Sequence, residues 1–248
     1  MTKQMNLRQK RPIQAVMFDL GDTLFEPLPR SHVEENLSII AAETPLQTTT
    51  PEMLNLFRAT RANLEIELSK TGFYLHRTFI AKVISRLFDS MGHPLPTKLV
   101  HRFCDAQRDA VVSHLRPRPD CFETLAHLRE MGFKLAIVSN IDNEWFDPLR
   151  SKWRLDDFVD VCLSSESARS CKPDETIFAK ACALTSVTPV DTVFVGDSQL
   201  NDFFGSENVG MHPIWYDGNE QSVDGSVVSP RVTSLLGVIR EVQLFLRH

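Results

Sequence analysis

The chain has 248 residues, 42% hydrophobic and 24% charged, with a formal net charge of −5 at pH 7. This is a globular composition, large enough for one sizeable domain or one domain with an insertion. The mild acidity gives no reason to expect nucleic acid or an anionic membrane as partner, and no apolar stretch approaches the roughly 20 residues that span a bilayer.

The N-terminal MTKQMNLRQKRP is basic with no apolar segment behind it, so it reads as a solvated tail rather than a secretory signal. Five cysteines (Cys104, Cys121, Cys162, Cys171 and Cys182) are an odd number without C-x-x-C spacing. That argues against a disulfide framework or a zinc site and for a reducing, cytoplasmic compartment. Cys171 is expected to be a buried structural thiol, since a reactive one needs an electropositive pocket.

The first apolar run, residues 13–18, reads as a buried strand ending at Asp19. From about residue 29 to 115 the apolar periodicity is helical, with Thr50-Pro51 and Thr97 as candidate helix starts. The stretch RPRPD, 116–120, reads as a stiff hinge. Beyond it, short apolar runs at 134–138, 159–163, 192–195 and 213–215 alternate with helix-length stretches at 121–131, 143–153, 174–184 and 200–209. Alternation of this kind implies βαβ crossovers and a parallel sheet. A loop at 217–229 precedes an expected closing helix over 230–247. The expected organisation is an α/β Rossmann-like parallel core with helices on both faces: residues 1–28 carry the tail and first strand, 29–115 a helical insertion, and 116–248 the rest of the core.

Ligands of open α/β sheets bind outside the carboxyl ends of the strands. At those ends stand Asp19; Ser139 and Asn140; and Asp197, Ser198, Asn201 and Asp202, with Lys172 just before a helix. Taken singly, each is an ordinary turn, capping or surface residue. Together they put three carboxylates, a hydroxyl and an ammonium on one rim. Carboxylates with room for water suit Mg²⁺, and the hydroxyl, backbone amides and lysine suit a phosphate dianion.

Four motifs carry a resemblance: FDLGDTL at 18–24, VSN at 138–140, KP at 172–173 and VGDSQLND at 195–202, followed by Gly205 and Gly210. In order and spacing the sequence resembles the haloacid dehalogenase-like hydrolase superfamily, in its phosphatase-type members with an α-helical cap. The resemblance implies Asp19 as a nucleophile that forms an aspartyl-phosphate. It implies Ser139 and Asn140 with neighbouring amides as the phosphoryl site, and Lys172 as the group neutralising developing charge. It implies Mg²⁺ held by Asp19, the Gly21 carbonyl and Asp197, with Asp202 orienting the metal's waters or Lys172. The implied substrate is a small phosphorylated metabolite, and the helical insertion would be the cap that closes over it.

One position departs from the pattern. Family phosphatases usually carry a second Asp two residues after the nucleophile as general acid and base. Here that position is Gly21, and the spare acid, Asp22, follows one residue later. Asp22 either reaches the leaving group through a loop re-aimed at the flexible Gly21, or merely caps the turn while water or the substrate does the proton transfer. The same departure reopens a 2-haloacid dehalogenase, which needs neither that acid nor a metal, and a catalytically weakened binding or regulatory protein. The intact VGDS favours the phosphatase over the first, and the retained nucleophile, metal acid and lysine favour it over the second. A phosphomutase would need the acid at 21 even more. Arg30, His76 and Arg77 are the insertion's candidate substrate contacts, and Phe57, Phe73, Phe79 and Phe88 are expected to pack its helices.

Overall fold

The computed structural model describes residues 13–46, 50–218 and 228–247; the basic N-terminal stretch and most of the 217–229 loop lie outside the described residues. Strand β1 (Ala15–Phe18) opens the core, and a wide turn, Leu20–Leu24, follows Asp19, closed by Phe25 N–H donating to Leu20 O at 2.9 Å. Four helices come next: α1 (Arg30–Ala41), α2 (Thr50–Leu68), α3 (His76–Ser90) and α4 (Thr97–His114). Their apolar positions recur at helical spacing. In α3, Phe79, Ile80, Val83, Ile84, Leu87 and Phe88 are all buried, which gives that helix one continuous face for its neighbours. Phe57 packs against Phe103 with ring centroids 5.9 Å apart, whereas Phe73 is only half-buried, beneath the Arg169 guanidinium.

The chain returns through α5 (Cys121–Glu130) to β2 (Lys134–Ser139), α6 (Asn143–Trp153), β3 (Val161–Ser164), α7 (Ser165–Ala168), α8 (Glu175–Thr185) and β4 (Thr192–Gly196). It ends with α9 (Gly205–Asn208), β5 (His212–Tyr216), β6 (Arg231–Val232) and α10 (Leu235–Arg247). The strands form one parallel sheet in the order β3-β2-β1-β4-β5-β6. Strand residues alternate between its faces. Val16, Phe18, Leu135, Ile137, Val193 and Val195 join the core shared with α5, α10 and the four-helix insertion. Ala15, Met17, Ala136, Val138 and Phe194 pack on the other side with Ile177, Phe178 and Ala181 of α8. With helices on both faces, β1 is buried throughout, which is why it reads as an uninterrupted apolar run.

The local readings differ from the structure at several element ends; β3, for one, runs from Val161 to Ser164 rather than over 159–163. Strand pairing begins at Ala15 rather than residue 13, although Ile13 is buried. Thr97 does not cap α4: it is the first helical residue, Pro96 precedes it, and no side chain satisfies the end. The 200–209 stretch is not one helix. Ser198 accepts from Asn201 N and Asp202 accepts from Ser198 N, which winds the chain into a wide turn, Gln199–Phe204, before the short α9. The closing helix starts only at Leu235, because Arg231 and Val232 first add an edge strand beside Trp215 and Tyr216. The start of α10 is capped by Asp120 of the RPRPD stretch, whose Oδ2 accepts from Leu235 N at 2.8 Å and Leu236 N at 3.2 Å. Among the described residues, no helix is long and apolar enough to cross a membrane.

Candidate active site

Register brings the rim residues together. Phe18 lies beside Ile137 of β2 and Val195 of β4, so Asp19, Ser139 and Asp197 leave three adjacent strands at the same edge. Asp19 N–H donates to Val195 O at 2.9 Å, which extends the ladder by one residue and fixes the carboxylate over the sheet.

Lys172 stands at the centre. Its ammonium donates to Asp19 Oδ1 and to Asp202 Oδ1, each at 2.6 Å, and the lysine side chain is only 2% exposed. Burial works against this charge, but Asp19 and Asp202 outweigh it and hold the lysine pKa above its usual value. The backbone of Lys172 is held separately by Asn140, which donates Nδ2–H to Lys172 O at 2.9 Å and accepts from Lys172 N at 2.8 Å. The Asn140 side chain is therefore committed to the lysine loop. Ser139 is buried, and among the described residues its hydroxyl has no hydrogen-bond partner.

One carboxylate oxygen from each of Asp19, Asp197 and Asp202 lies within 4.8 Å of the other two. Burial first, then the charges of Asp202, Asp19 and Asp22, push the Asp197 pKa well above the carboxylate range. Burial and Asp19 likewise raise Asp202 to about 6, against the pull of Lys172. Buried carboxylates in excess of the one lysine are an unfavourable arrangement that a cation relieves, and an all-oxygen donor set suits a hard divalent ion. Gly196 makes the crowding possible: a methyl group there would overlap the Asp202 carboxyl.

Thr23 is a site residue that the sequence motifs did not single out. Its hydroxyl donates to Asp197 Oδ1 at 3.2 Å and accepts from Asp197 N at 3.0 Å, across 174 positions of chain. Arg118 is another: read as part of a hinge, it donates Nε–H to Thr23 O at 2.8 Å and Nη2–H to Asp22 O at 2.7 Å, with its guanidinium over the Tyr216 ring. The charged residues of RPRPD are consistent with such a role, but nothing in the local pattern names the partners.

The loop takes up its strain at Asp22 rather than at glycine. Gly21 has ordinary extended dihedrals, φ −73° and ψ 140°, and open space where a Cβ would be. Asp22 adopts the left-handed φ of 60°. Of the readings of Asp22, the one in which a flexible Gly21 re-aims the loop gains no support from these dihedrals. The Asp22 pKa is raised by burial, opposed by Arg61 of α2 and raised further by Asp19.

The four-helix insertion contacts this rim at several points. Glu65 Oε1 of α2 accepts from Asn201 Nδ2 at 2.6 Å. Asp142, just beyond the VSN motif, accepts from His76 N at 2.6 Å and Arg77 N at 2.8 Å, so a core residue caps α3. Cys171 N–H donates to Gly72 O at 2.7 Å, and its buried thiol, with a pKa raised by burial, bridges to the Tyr74 backbone. Of the insertion's three candidate contacts, Arg77 is engaged by Asp105 at 2.6 Å and Glu144 at 3.3 Å. His76 meets Trp145 edge-on, its pKa lowered to about 3 by burial and then by Arg61. Arg30 is exposed at the start of α1.

A parallel α/β core with carboxylates gathered round one buried lysine at the strand-end rim is the framework of a hydrolase. The chain belongs to the haloacid dehalogenase-like hydrolase family, whose profile matches residues 46–216, beginning after the first motif. It is 30% identical over 247 residues to a glyceraldehyde 3-phosphate phosphatase of Methanopyrus kandleri, covering 93% of this chain and 98% of that one. It is 26% identical over 211 residues to a protein of the same name from Pyrococcus abyssi, covering 82% and 81%. A HAD hydrolase of Bacillus subtilis, crystallised with magnesium, superposes with a TM-score of 0.72 at 16% identity, covering 94% and 99%, a likeness of fold. These relatives put the chain among the phosphatase-type members, the phosphoric monoester hydrolases.

Proposed function

We propose that the protein hydrolyses a small phosphorylated metabolite with Mg²⁺ as cofactor, through a phosphoryl group carried on Asp19. One observation carries this reading: Lys172 bridges Asp19 and Asp202 at 2.6 Å on each side, with Asp197 beside them and an uncommitted Ser139 hydroxyl at the neighbouring strand end. Asp19, Asp197 and Asp202, with the Gly21 carbonyl, would hold the ion. Bound there, Mg²⁺ supplies charge that offsets the repulsion between an anionic nucleophile and an anionic ester.

In this reading Asp19 attacks phosphorus, and the bond to the leaving oxygen breaks as the new P–O bond forms. Ser139 and nearby backbone amides hold the phosphoryl oxygens. Lys172 neutralises charge on the transferring group, and Asn140 keeps the lysine loop in place. Asp22, three residues beyond Asp19, protonates the leaving oxygen; water then attacks the phosphorus, Asp22 takes its proton, and the bond to Asp19 breaks to release phosphate. Helices α1–α4, residues 29–115, act as a cap that excludes bulk water. The phosphosugars named for the relatives fit a substrate of this size.

Phosphate release from a panel of small esters tests the reading, with Mg²⁺ or EDTA, for wild type and Asp19→Asn. Metal-dependent release that disappears in Asp19→Asn is expected. No release from any ester by folded wild type with Mg²⁺ would overturn it and turn attention to haloacids and protein partners.

A further inference from the structure

Arg61 is an exposed cation of the insertion, on α2 beside the turn that meets the site loop. It lies one helical turn before Glu65 on α2, and the 2.6 Å bond from Asn201 to Glu65 pins that turn to the loop carrying Asp197 and Asp202. That bond sets this face of α2 where insertion and core meet, and the Arg61 charge is felt at Asp22, at Tyr74 in the loop before α3 and at His76 at the start of α3. Yet it is exposed, and among the described residues it makes no ion pair or hydrogen bond. Arg77, Arg86, Arg102 and Arg108 of α3 and α4 each hold a carboxylate: Asp105, Glu67, Glu43 and Asp109. Arg118, the other arginine acting on Asp22, is committed to backbone carbonyls and the Tyr216 ring.

A planar guanidinium kept unpaired in this position matches an anion that arrives with the substrate. Resting on the phosphatase reading, we infer that Arg61 determines specificity by binding a second anionic group on the leaving portion of the ester. The substrate class is then a phosphate monoester that also carries a carboxylate or another phosphate. Lys172 and Ser139 take the transferred phosphoryl group; Arg61 takes the other end; Glu65 positions Arg61 through Asn201.

The test uses three probes: glycerol 3-phosphate with a neutral tail, 3-phosphoglycerate with a carboxylate, and ribulose 1,5-bisphosphate with a second phosphate. The readout is the ratio of kcat/KM for each anionic-tail ester to that for glycerol 3-phosphate, in wild type, Arg61→Gln and Glu65→Leu. A wild-type ratio of at least about 10 for one anionic tail is expected, the worth of a charged hydrogen bond. It should collapse towards one in Arg61→Gln and fall in Glu65→Leu, and whichever tail gives the ratio identifies the second anion. Arg61 is exposed, so its variant should fold. No preference in wild type, or a preference intact in Arg61→Gln, overturns the inference. An equal fall for all three esters also does, because it assigns Arg61 to the shared phosphoryl group. Binding of the same esters to Asp19→Asn, with and without Arg61→Gln, separates the two claims: a binding preference dependent on Arg61 without wild-type turnover supports Arg61 and sinks the phosphatase reading, and turnover without preference does the reverse.

Discussion

Asn140 and Lys172 hold each other by two backbone-directed hydrogen bonds, at 2.8 and 2.9 Å, although 32 positions separate them. One amide side chain thereby satisfies both polar groups of the residue whose ammonium joins the two carboxylates.

Replacing Asn140 with Ala leaves that N–H and C=O without their partner, at a cost of about 1–3 kcal/mol. The lysine loop should shift, and kcat should fall roughly 10²-fold, the order associated with small misplacements of catalytic groups. Thermal melts and steady-state rates check both effects. A variant with normal kcat would remove Asn140 from the positioning role.

Gly196 should resist any side chain. Alanine there meets the Asp202 carboxyl, and overpacking of a tight site costs about 1–3 kcal/mol. Asp202 must move, so Gly196→Ala should lose activity together with stability, whereas Gly132→Ala, strained by its φ of 89° but far from the rim, should lose only stability.

Asp22 separates strain from chemistry. Glycine tolerates a φ of 60° without the side-chain penalty, so Asp22→Gly should raise stability by up to about 1 kcal/mol. As an acid and base, the same residue should cost about 10²–10⁴-fold in kcat when changed to Gly or Asn. Gly21 has ordinary dihedrals and open space, so Gly21→Asp should fold and restore part of the rate lost in Asp22→Asn. Failure of that double variant, in well-folded protein, would mean that an acid at 21 cannot reach the leaving group.

Metal removal and pH should interact. The folded state holds protons on Asp197 and Asp202 more tightly than the unfolded chain, whose aspartates titrate near 3.8. In EDTA, stability should therefore fall as pH rises from about 4 through the Asp202 value of about 6, because the folded protein must give up protons that it binds more strongly. Tm should drop by roughly 5 °C over that interval, a shift typical of one or two kcal/mol in a chain this size. Mg²⁺ at about 100 times its Kd should add about 2.7 kcal/mol, more visibly above pH 6, where Asp202 has given up its proton. A Tm independent of Mg²⁺ at pH 7 would argue against an ion at these aspartates.

The sequence made the core legible because β1, β2 and β4 are apolar runs covered on both faces, with a polar residue (Asp19, Ser139 or Asp197) at or just beyond the rim end of each. It made the motif residues legible because Asp19, Ser139, Lys172 and Asp197 lie just beyond those runs or just before a helix. Thr23 and Arg118 were not, since each acts through partners set by the sheet register rather than by a local pattern. The edge strand β6 was hidden for a similar reason: two residues carry no periodicity, and only the neighbouring Trp215 and Tyr216 make them a strand. Arg61 and Glu65 belong to no motif, and only the contact with Asn201 distinguishes that turn of α2.

The central place of β1 bears on how the chain is made. Its two sheet neighbours are β2, complete only at Ser139, and β4, complete only at Gly196. During synthesis the first strand therefore emerges with both hydrogen-bonding edges unmatched and with Val16, Met17 and Phe18 lacking their later neighbours. The helices between can pair locally while it waits, since neighbouring helices close short loops. Asp19 is thus among the first site residues to leave the ribosome, but its surroundings exist only after Asp202 has followed it.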